Sequence, residues 1–314
     1  MLNYIIRRLF VAVPVLLLIS IIVFLLVHLL PGDPATVMLG EESTPEMIQA
    51  LRAELGLDQP LHKQYLQWLT RCLSGDFGRS IQTRQPVSEA LVQRLPVTIE
   101  LTLLGFCVSI MIALPIAVAS AVRPNSWIDV MGSAFATIGI SMPSFWLGIL
   151  LIYAFAVSLH LLPASGYVPL RESVVQNLLH MVLPAFTLGM WLSASAMRMI
   201  RAGMIDVLER PYIRTARAKG LSERRVLWHH ALKNAFIPVV TILGLQLGRL
   251  MGGAVVTETI FAQPGVGQLA VKSIFMRDFP PVQAIVLVMA ISMLLSSLVV
   301  DILYSFLDPR IRLR

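Results

Sequence analysis

Apolar residues in this chain gather into six long runs, at residues 9–30, 98–122, 130–159, 178–197, 235–256 and 282–307. A helix needs roughly 20 mainly apolar residues to cross the hydrocarbon core of a bilayer, so each run predicts a membrane span. The run at 130–159 is longer than one span requires and contains Gly139, Pro143 and Gly148. A tilt, break or kink is expected there. The first run follows Arg7 and Arg8, as the core of a secretory signal would. Its apolar stretch exceeds the ~7–15 residues of such a signal, and no small-residue cleavage site follows. It ends in Pro31-Gly32-Asp33-Pro34 and reads as a retained span.

Helical periodicity reappears, at shorter range, between the first two runs. Over 45–55 it places Met47, Ile48, Leu51 and Leu55 on one face, with Gly56 where a helix C-cap belongs. A second short helix follows Pro60 and carries Tyr65, Trp68 and Leu69, and Ser74-Gly75-Asp76-Phe77-Gly78 reads as a turn. The pattern predicts an all-α membrane protein of about six transmembrane helices, with an ordered helical segment after the first. Residues 1–97 form the first helix and that segment; residues 98–314 form a five-helix core with a long loop at about 198–234.

Composition agrees. Of 314 residues 56% are hydrophobic and only 14% charged, against about 25% charged in a typical soluble domain. The net charge of +7 first suggests nucleic acid, but its placement says otherwise. With six spans, Arg7, Arg8, Arg123, the nine Lys and Arg residues of 198–234, and Arg310, Arg312 and Arg314 all fall on one side. The opposite segment, 31–97, holds eight acids and six bases. Lys and Arg concentrate in cytoplasmic loops, so both termini are expected in the cytoplasm and no nucleic-acid partner is implied. Contact with membrane lipid is. Cys72 and Cys107, one polar-flanked and one in an apolar run, read as two ordinary thiols.

The segment at 198–234 is too long and too patterned for a plain connection. Pro211 suits the first position of a helix, and Gly220 suits its C′ position. Ser222 can then cap a second helix beginning Glu223-Arg224-Arg225 that leads into the fifth run. Tyr212, Ala216 and Gly220 share a stripe of close approach, beside a basic rim of Arg214, Arg217 and Lys219. Such an element can dock in a groove of a soluble partner; the competing reading is a basic helix lying on anionic headgroups.

The run Arg214-Thr215-Ala216-Arg217-Ala218-Lys219-Gly220, with His230-Ala231-Leu232 after a nine-residue gap, resembles the EAA loop of binding-protein-dependent ABC importer permeases. More closely, it resembles the version in the dipeptide, oligopeptide, glutathione and nickel branch. Ala216, Gly220 and Leu232 match the loop pattern; Arg214, Thr215, His230 and Lys233 depart from it. Further fragments in family order are LPGDP at 30–34, LGLDQP at 55–60, GDFGRS at 75–80, TETIFAQPGVG at 257–267, RDFPPVQ at 277–283 and DPRIR from Asp308. The resemblance implies the type I ABC importer permease fold. It also implies a coupling contact at Tyr212, Arg214, Thr215, Ala216, Lys219, Gly220 and Leu232. Two ATP-binding cassette subunits would bind ATP and Mg, a second permease would complete the path, and a solute-binding protein would deliver a small peptide. Nickel chelate and glutathione are the alternative cargoes. This chain has no G-x-x-x-x-G-K-[ST] stretch, so no ATPase site of its own is expected, and no other cofactor or metal.

Ionisable groups within spans cost roughly 2.5–3.5 kcal/mol each and call for a reason. Arg249, among Gly244, Gln246, Gly248, Gly252 and Gly253, either meets a carboxylate on the path or serves as a structural or snorkelling charge. Ser141 and Ser144 around Pro143 are further path candidates, the alternative being hydroxyls bonded back to their own helix. Asp301 reads as structural, His28 as snorkelling, and Glu258 as exposed at the interface. With Pro264, Gly265 and Gly267, Glu258 is also a candidate for the outer gate. A secondary transporter working without ATP would show inverted repeats and mid-membrane acids, and neither is seen. No H-E-x-x-H stretch or reachable serine–histidine pair supports an enzyme.

Overall fold

A computed structural model of the chain describes residues 2–29, 36, 39, 44–54 and 56–307. The elements are α1 (Leu2–Leu29), α2 (Pro45–Glu54), α3 (Leu61–Leu73), α4 (Val87–Val122), α5 (Trp127–Ser141) and α6 (Ser144–Leu151). A π-helical stretch Ile152–Ser158 extends α6. Then follow α7 (Val174–Leu208), α8 (Pro211–Ala218), α9 (Glu223–Arg225), a second π-helical stretch Val226–Ala231, α10 (Leu232–Ile260), α11 (Val266–Phe275) and α12 (Phe279–Leu307). Among the described residues there is no strand, only an isolated bridge between Arg79 and Pro86. The described part of each of the six apolar runs lies in a helix or a bent pair of helices, apart from the last residue of the third, Leu159. By length and composition α4, α7 and Phe279–Val299 can each cross a membrane, the bent pair passes the same test only when its two arms are taken together, as a broken span or a re-entrant loop, and Phe10–Leu26 is a shorter apolar stretch.

The break expected in the third run is a bend of 103° between α5 and the helix beginning at Ser144. Pro143 causes it. Lacking an N–H, it cannot extend α5, and it drives Met142 into extended backbone (φ −80, ψ 123).

The described chain divides into two compact units. One comprises Met1–Ile5, Pro96–Gln268 and Ser292–Arg314; the other comprises Ile6–Leu95 and Leu269–Ile291. In the first, α7 is the central element, packed on α5, α6 and α10, with Met181, Leu192, Met197, Ile200 and Met204 buried. Lipid tails are as apolar as leucine, so spans associate by close packing of small residues. Ala113, Ala117 and Ala121 accordingly form a buried stripe on α4, joined in the core by Ala136, Ala185, Ala196 and Ala254. Two backbones come close at Gly189, where a Cβ would lie 2.4 Å from the Gly105 carbonyl oxygen. Thr187 and Ser193 hydroxyls donate to the carbonyls of Leu183 and Met190 on the same helix, so they burden the core with no unmet donor.

In the second unit, α2 and α3 are the two short helices expected after the first run. Gly56 (φ +68) ends α2, with Leu57 N–H donating to the Arg52 carbonyl, the bond that closes a Schellman motif. Phe24, Tyr65 and Trp68 cluster with ring centroids 5.6–6.2 Å apart, and the Ser20 and Tyr65 hydroxyls share a hydrogen bond of 2.8 Å. Two sequence fragments prove to be spatial partners. Asp278 of RDFPPVQ accepts from the Ser80 hydroxyl and from Ile81 N–H at 2.8 Å, fastening the end of GDFGRS. Both cysteines are free thiols. Burial, reinforced by Asp76, pushes the Cys72 thiol up to about 11.

Candidate functional site

The helix–glycine–helix bend at 198–234 forms as its residues dictate. Pro211 occupies the first turn of α8, where a missing N–H costs nothing. Gly220 adopts φ +76, and Gly220 N–H and Leu221 N–H donate to the Arg217 and Ala216 carbonyls, again closing a Schellman motif. Across the bend Arg217 Nε donates to Glu223 Oε1 at 2.8 Å. Both groups are exposed, so this pair fixes direction more than it stabilises. Ser222 has N-cap backbone geometry (φ −62, ψ 143), but its hydroxyl makes no capping bond.

Ile213 and Ala216 turn inward and are buried, whereas Tyr212, Arg214, Thr215, Arg217, Lys219 and Gly220 are exposed. The expected close-approach stripe is therefore corrected. Ala216 packs into this chain's own core, because α8 is amphipathic and Ile213 with Ala216 forms its apolar side. The open face is Tyr212, Arg214, Thr215 and Lys219 around Gly220. Leu232 is half-buried and packs on the core rather than joining that face. Tyr212 is held by its hydroxyl, which accepts from Asn234 Nδ2 at 3.1 Å.

A second cluster forms where α10 ends. Glu258 is fully buried, which corrects the exposed position expected of it. The reason is its partners. Its carboxylate accepts from the Thr98 hydroxyl at 2.6 Å and from Gln268 N–H at 2.9 Å, while Thr98 Oγ1 accepts from Val266 N–H at 2.8 Å. Glu258 and Thr98 thus satisfy two of the open N–H groups in the first turn of α11, where a negative charge is favoured. Glycine is required beside them: a Cβ on Gly265 would lie 2.2 Å from the Glu258 carboxyl carbon, and one on Gly267 would lie 2.6 Å from Val255 Cα. Pro264 sits in the turn between Gln263 and Gly265. Gln263 is buried and donates to the Gly166 carbonyl at 2.9 Å.

The neighbouring Tyr167 hydroxyl donates to Glu100 Oε2 at 2.8 Å. Burial first, then this bond and the Glu100 charge, push the Tyr167 phenol up to about 12 from 10.0. A raised pKa favours the protonated phenol in the folded chain. Its stabilisation is therefore complete below pH 10 and fades as pH rises through about 12. Absorbance titration should show one phenolate step near pH 12 that is missing in Tyr167→Phe; loss of a step near pH 10 instead would contradict the geometry.

Sequence reasoning passed over an ion pair between a buried acid and a half-buried arginine. Asp129, 4% exposed, accepts from Arg201 Nη2 at 2.7 Å and Nε at 2.5 Å, and from Asn125 N–H at 2.9 Å. The available signal was an acid at the edge of an apolar run, which demands a partner. Ser141 is exposed and Ser144 half-buried, on either side of the 103° bend. Arg249 lies in α10, but its side chain is outside the described residues, as are those of His28 and Asp301. Leu30–Pro34 and the segment from Asp308 are outside them too.

Residues 109–313 match the family model described as binding-protein-dependent transport system inner membrane component, and residues 1–102 match the N-terminal model of such components. The chain belongs to this family. It is 45% identical over 312 residues to the glutathione transport system permease protein GsiC of Salmonella paratyphi A, spanning 99% of each chain. It is 44% identical over 308 residues to a putative peptide transport system permease protein of Brucella abortus, spanning 98% of each. Among solved structures it is similar to the inward-facing MetNI methionine ABC transporter, with TM-score 0.58 and 18% identity over 70% of this chain and 96% of that one. That likeness concerns the fold alone. The resemblance read from the sequence is thereby borne out: this is a multi-pass ABC importer permease with the all-α fold of type I importers.

Proposed function

We propose that this permease carries small peptides, the tripeptide glutathione among them, into the cytoplasm across the inner membrane. The carrying observation is the end-to-end likeness to one permease named for glutathione transport and another named for peptide transport. The exposed face of the Gly220 bend supports the mechanistic part. Tyr212, Arg214, Thr215 and Lys219 present a basic, hydrogen-bonding surface on a helix braced by Arg217–Glu223 and by Asn234. Two ATPase subunits, binding ATP and Mg, would seat these bends and rock two permease subunits between outward and inward states. A solute-binding protein would load the opposite face, where Glu258, Pro264, Gly265 and Gly267 anchor an outer gate, and Ser141, Ser144 and Arg249 are the path candidates. Both termini lie in the cytoplasm on this reading, in keeping with the side on which Lys and Arg gather.

The test is uptake into proteoliposomes holding the permease pair, both ATPases and the binding protein. ATP-dependent accumulation of dipeptides or glutathione, but not of nickel chelate, is expected. Uptake that persists without ATP would instead identify a secondary transporter. Gly220→Pro should abolish uptake while leaving membrane insertion intact, because proline cannot adopt φ +76 and the bend would lose its direction. Normal uptake by that variant would sink the coupling role.

A further inference from the structure

The chain between the π-helical stretch Ile152–Ser158 and α7 is tied at three consecutive residues by side chains from three different elements. The Gly166 carbonyl accepts from Gln263 Nε2 at 2.9 Å, the Tyr167 hydroxyl donates to Glu100 Oε2 at 2.8 Å, and the Val168 carbonyl accepts from Asn177 Nδ2 at 2.9 Å. Glu100 belongs to α4, Asn177 to α7, and Gln263 follows the end of α10. Gly166 N–H adds a bond of 3.0 Å to the Phe261 carbonyl, in a turn whose φ of +95 suits glycine. Pro163 and Pro169 stiffen this strap on both sides.

The strap closes one end of the bundle. Asp129, near the start of α5, is fastened to Arg201 of α7, and Val168 to Asn177 of the same helix. Arg201 and Asn177 are 24 residues apart, about 36 Å of helix against a hydrocarbon core of ~30 Å. The bent pair α5–α6 therefore carries the chain from one end of α7 to the other, and the strap lies at the end opposite the Gly220 bend. On the importer reading that is the outer end.

The ties are incomplete in a consistent way. Asn177 and Gln263 are fully buried and Glu100 is half-buried. Asn177 Oδ1, Gln263 Oε1 and Glu100 Oε1 are nevertheless buried with no hydrogen-bond partner among the described residues. Turning the amides over does not help, because their nitrogens are the donors that meet the carbonyls. A buried acceptor without a donor destabilises the arrangement that buries it, whereas water would satisfy all three once the strap lifts. The strap thus holds by a few bonds and is biased toward release. We propose that residues 163–169 are a clasp joining α4, α7 and the end of α10, fastened while the outer end is shut and released for that end to open. The opening step rests on the importer reading; the fastening does not.

Labelling tests the fastening without ATP or transport. Met181, 1% exposed and one turn beyond Asn177 on the same face of α7, is replaced by cysteine in the full chain carrying Cys72→Ala and Cys107→Ala. The chain is treated in nanodiscs with a charged maleimide. One buried hydrogen bond changes an opening equilibrium about fivefold, so Tyr167→Phe should speed labelling about fivefold, and Tyr167→Phe with Asn177→Ala about 25-fold. Met204→Cys, buried on the same helix nearer the Gly220 bend, is the control and should not respond. Unchanged labelling at 181 overturns the proposal. So does equal acceleration at 181 and 204, which would mark general loosening. The opening step is tested in proteoliposomes holding the complete transporter, with Val168→Cys and Asn177→Cys joined by a short bis-methanethiosulfonate. Uptake should be lost on joining and return with dithiothreitol; normal uptake by the joined chain overturns that step. If the native chain itself shows no ATP-dependent uptake, the importer reading fails, while labelling still decides the clasp.

Discussion

Gly265→Ala is expected to destabilise the detergent-solubilised chain by about 3–5 kcal/mol, combining an overpacking strain with the loss of buried hydrogen bonds. The new methyl would occupy the space of the Glu258 carboxylate, 2.2 Å from its carbon. That carboxylate must leave, and the Thr98 hydroxyl and Gln268 N–H lose the acceptor they share. Gly252→Ala is the matched control, since nothing lies within 4 Å of a Cβ there, and it should shift thermal unfolding little. A double-mutant cycle sharpens the result. Once Glu258→Ala has emptied the space, adding Gly265→Ala should cost much less than it does alone. Strictly additive effects would show that the glycine and the carboxylate do not share that volume.

The second large effect is expected at the Asp129–Arg201 ion pair. Asp129→Ala frees Arg201, whose side chain is 27% exposed and can turn toward water, so it should cost about 1–3 kcal/mol. Arg201→Leu should cost more, about 3–5 kcal/mol, by stranding Asp129, which is only 4% exposed. Replacing both with apolar residues of matched volume should recover most of the loss, because the pair must overcome its own desolvation before it stabilises anything. Thermal unfolding of the three variants decides the matter. If the single variants are harmless, the 2.7 Å contact contributes nothing measurable to the fold.

Local signals were read correctly where their cause is local. Pro211 and Gly220 set the limits of α8, Gly56 ends α2, and Pro143 breaks the third run, because each acts through backbone geometry within a turn of itself. The inward face of α8 was within reach too. Ile213 and Ala216, three apart, form its apolar side, whereas attention to the small residues Ala216 and Gly220 suggested the opposite orientation. Glu258 was not legible. Its position near a span end implies exposure, and only tertiary structure brings Thr98, 160 residues away in sequence, to its carboxylate. The same holds for Asp278 and Ser80, 198 residues apart, whose motifs were visible while their union was not. Asp129 was overlooked because an acid at the margin of an apolar run looks like a span boundary until Arg201 is seen beside it. The whole-chain order of fragments reached the family where each fragment alone could not.

The π-helical stretch Val226–Ala231 stands between the Gly220 bend and the transmembrane part of α10. A π turn is an α turn with a residue inserted, absorbed as a local bulge. The spacer therefore has slack of one residue. Shortened by one within 226–231, it can relax to a regular α turn and leave the faces of α8 and α10 in the same angular phase. The same deletion a few turns further on, inside α10, would rotate everything beyond it by about 100°. Natural length variation in this family should therefore be tolerated at the π stretch and purged within the span, so that the chain between the Gly220 bend and the span can change length without changing which face of α10 packs inward.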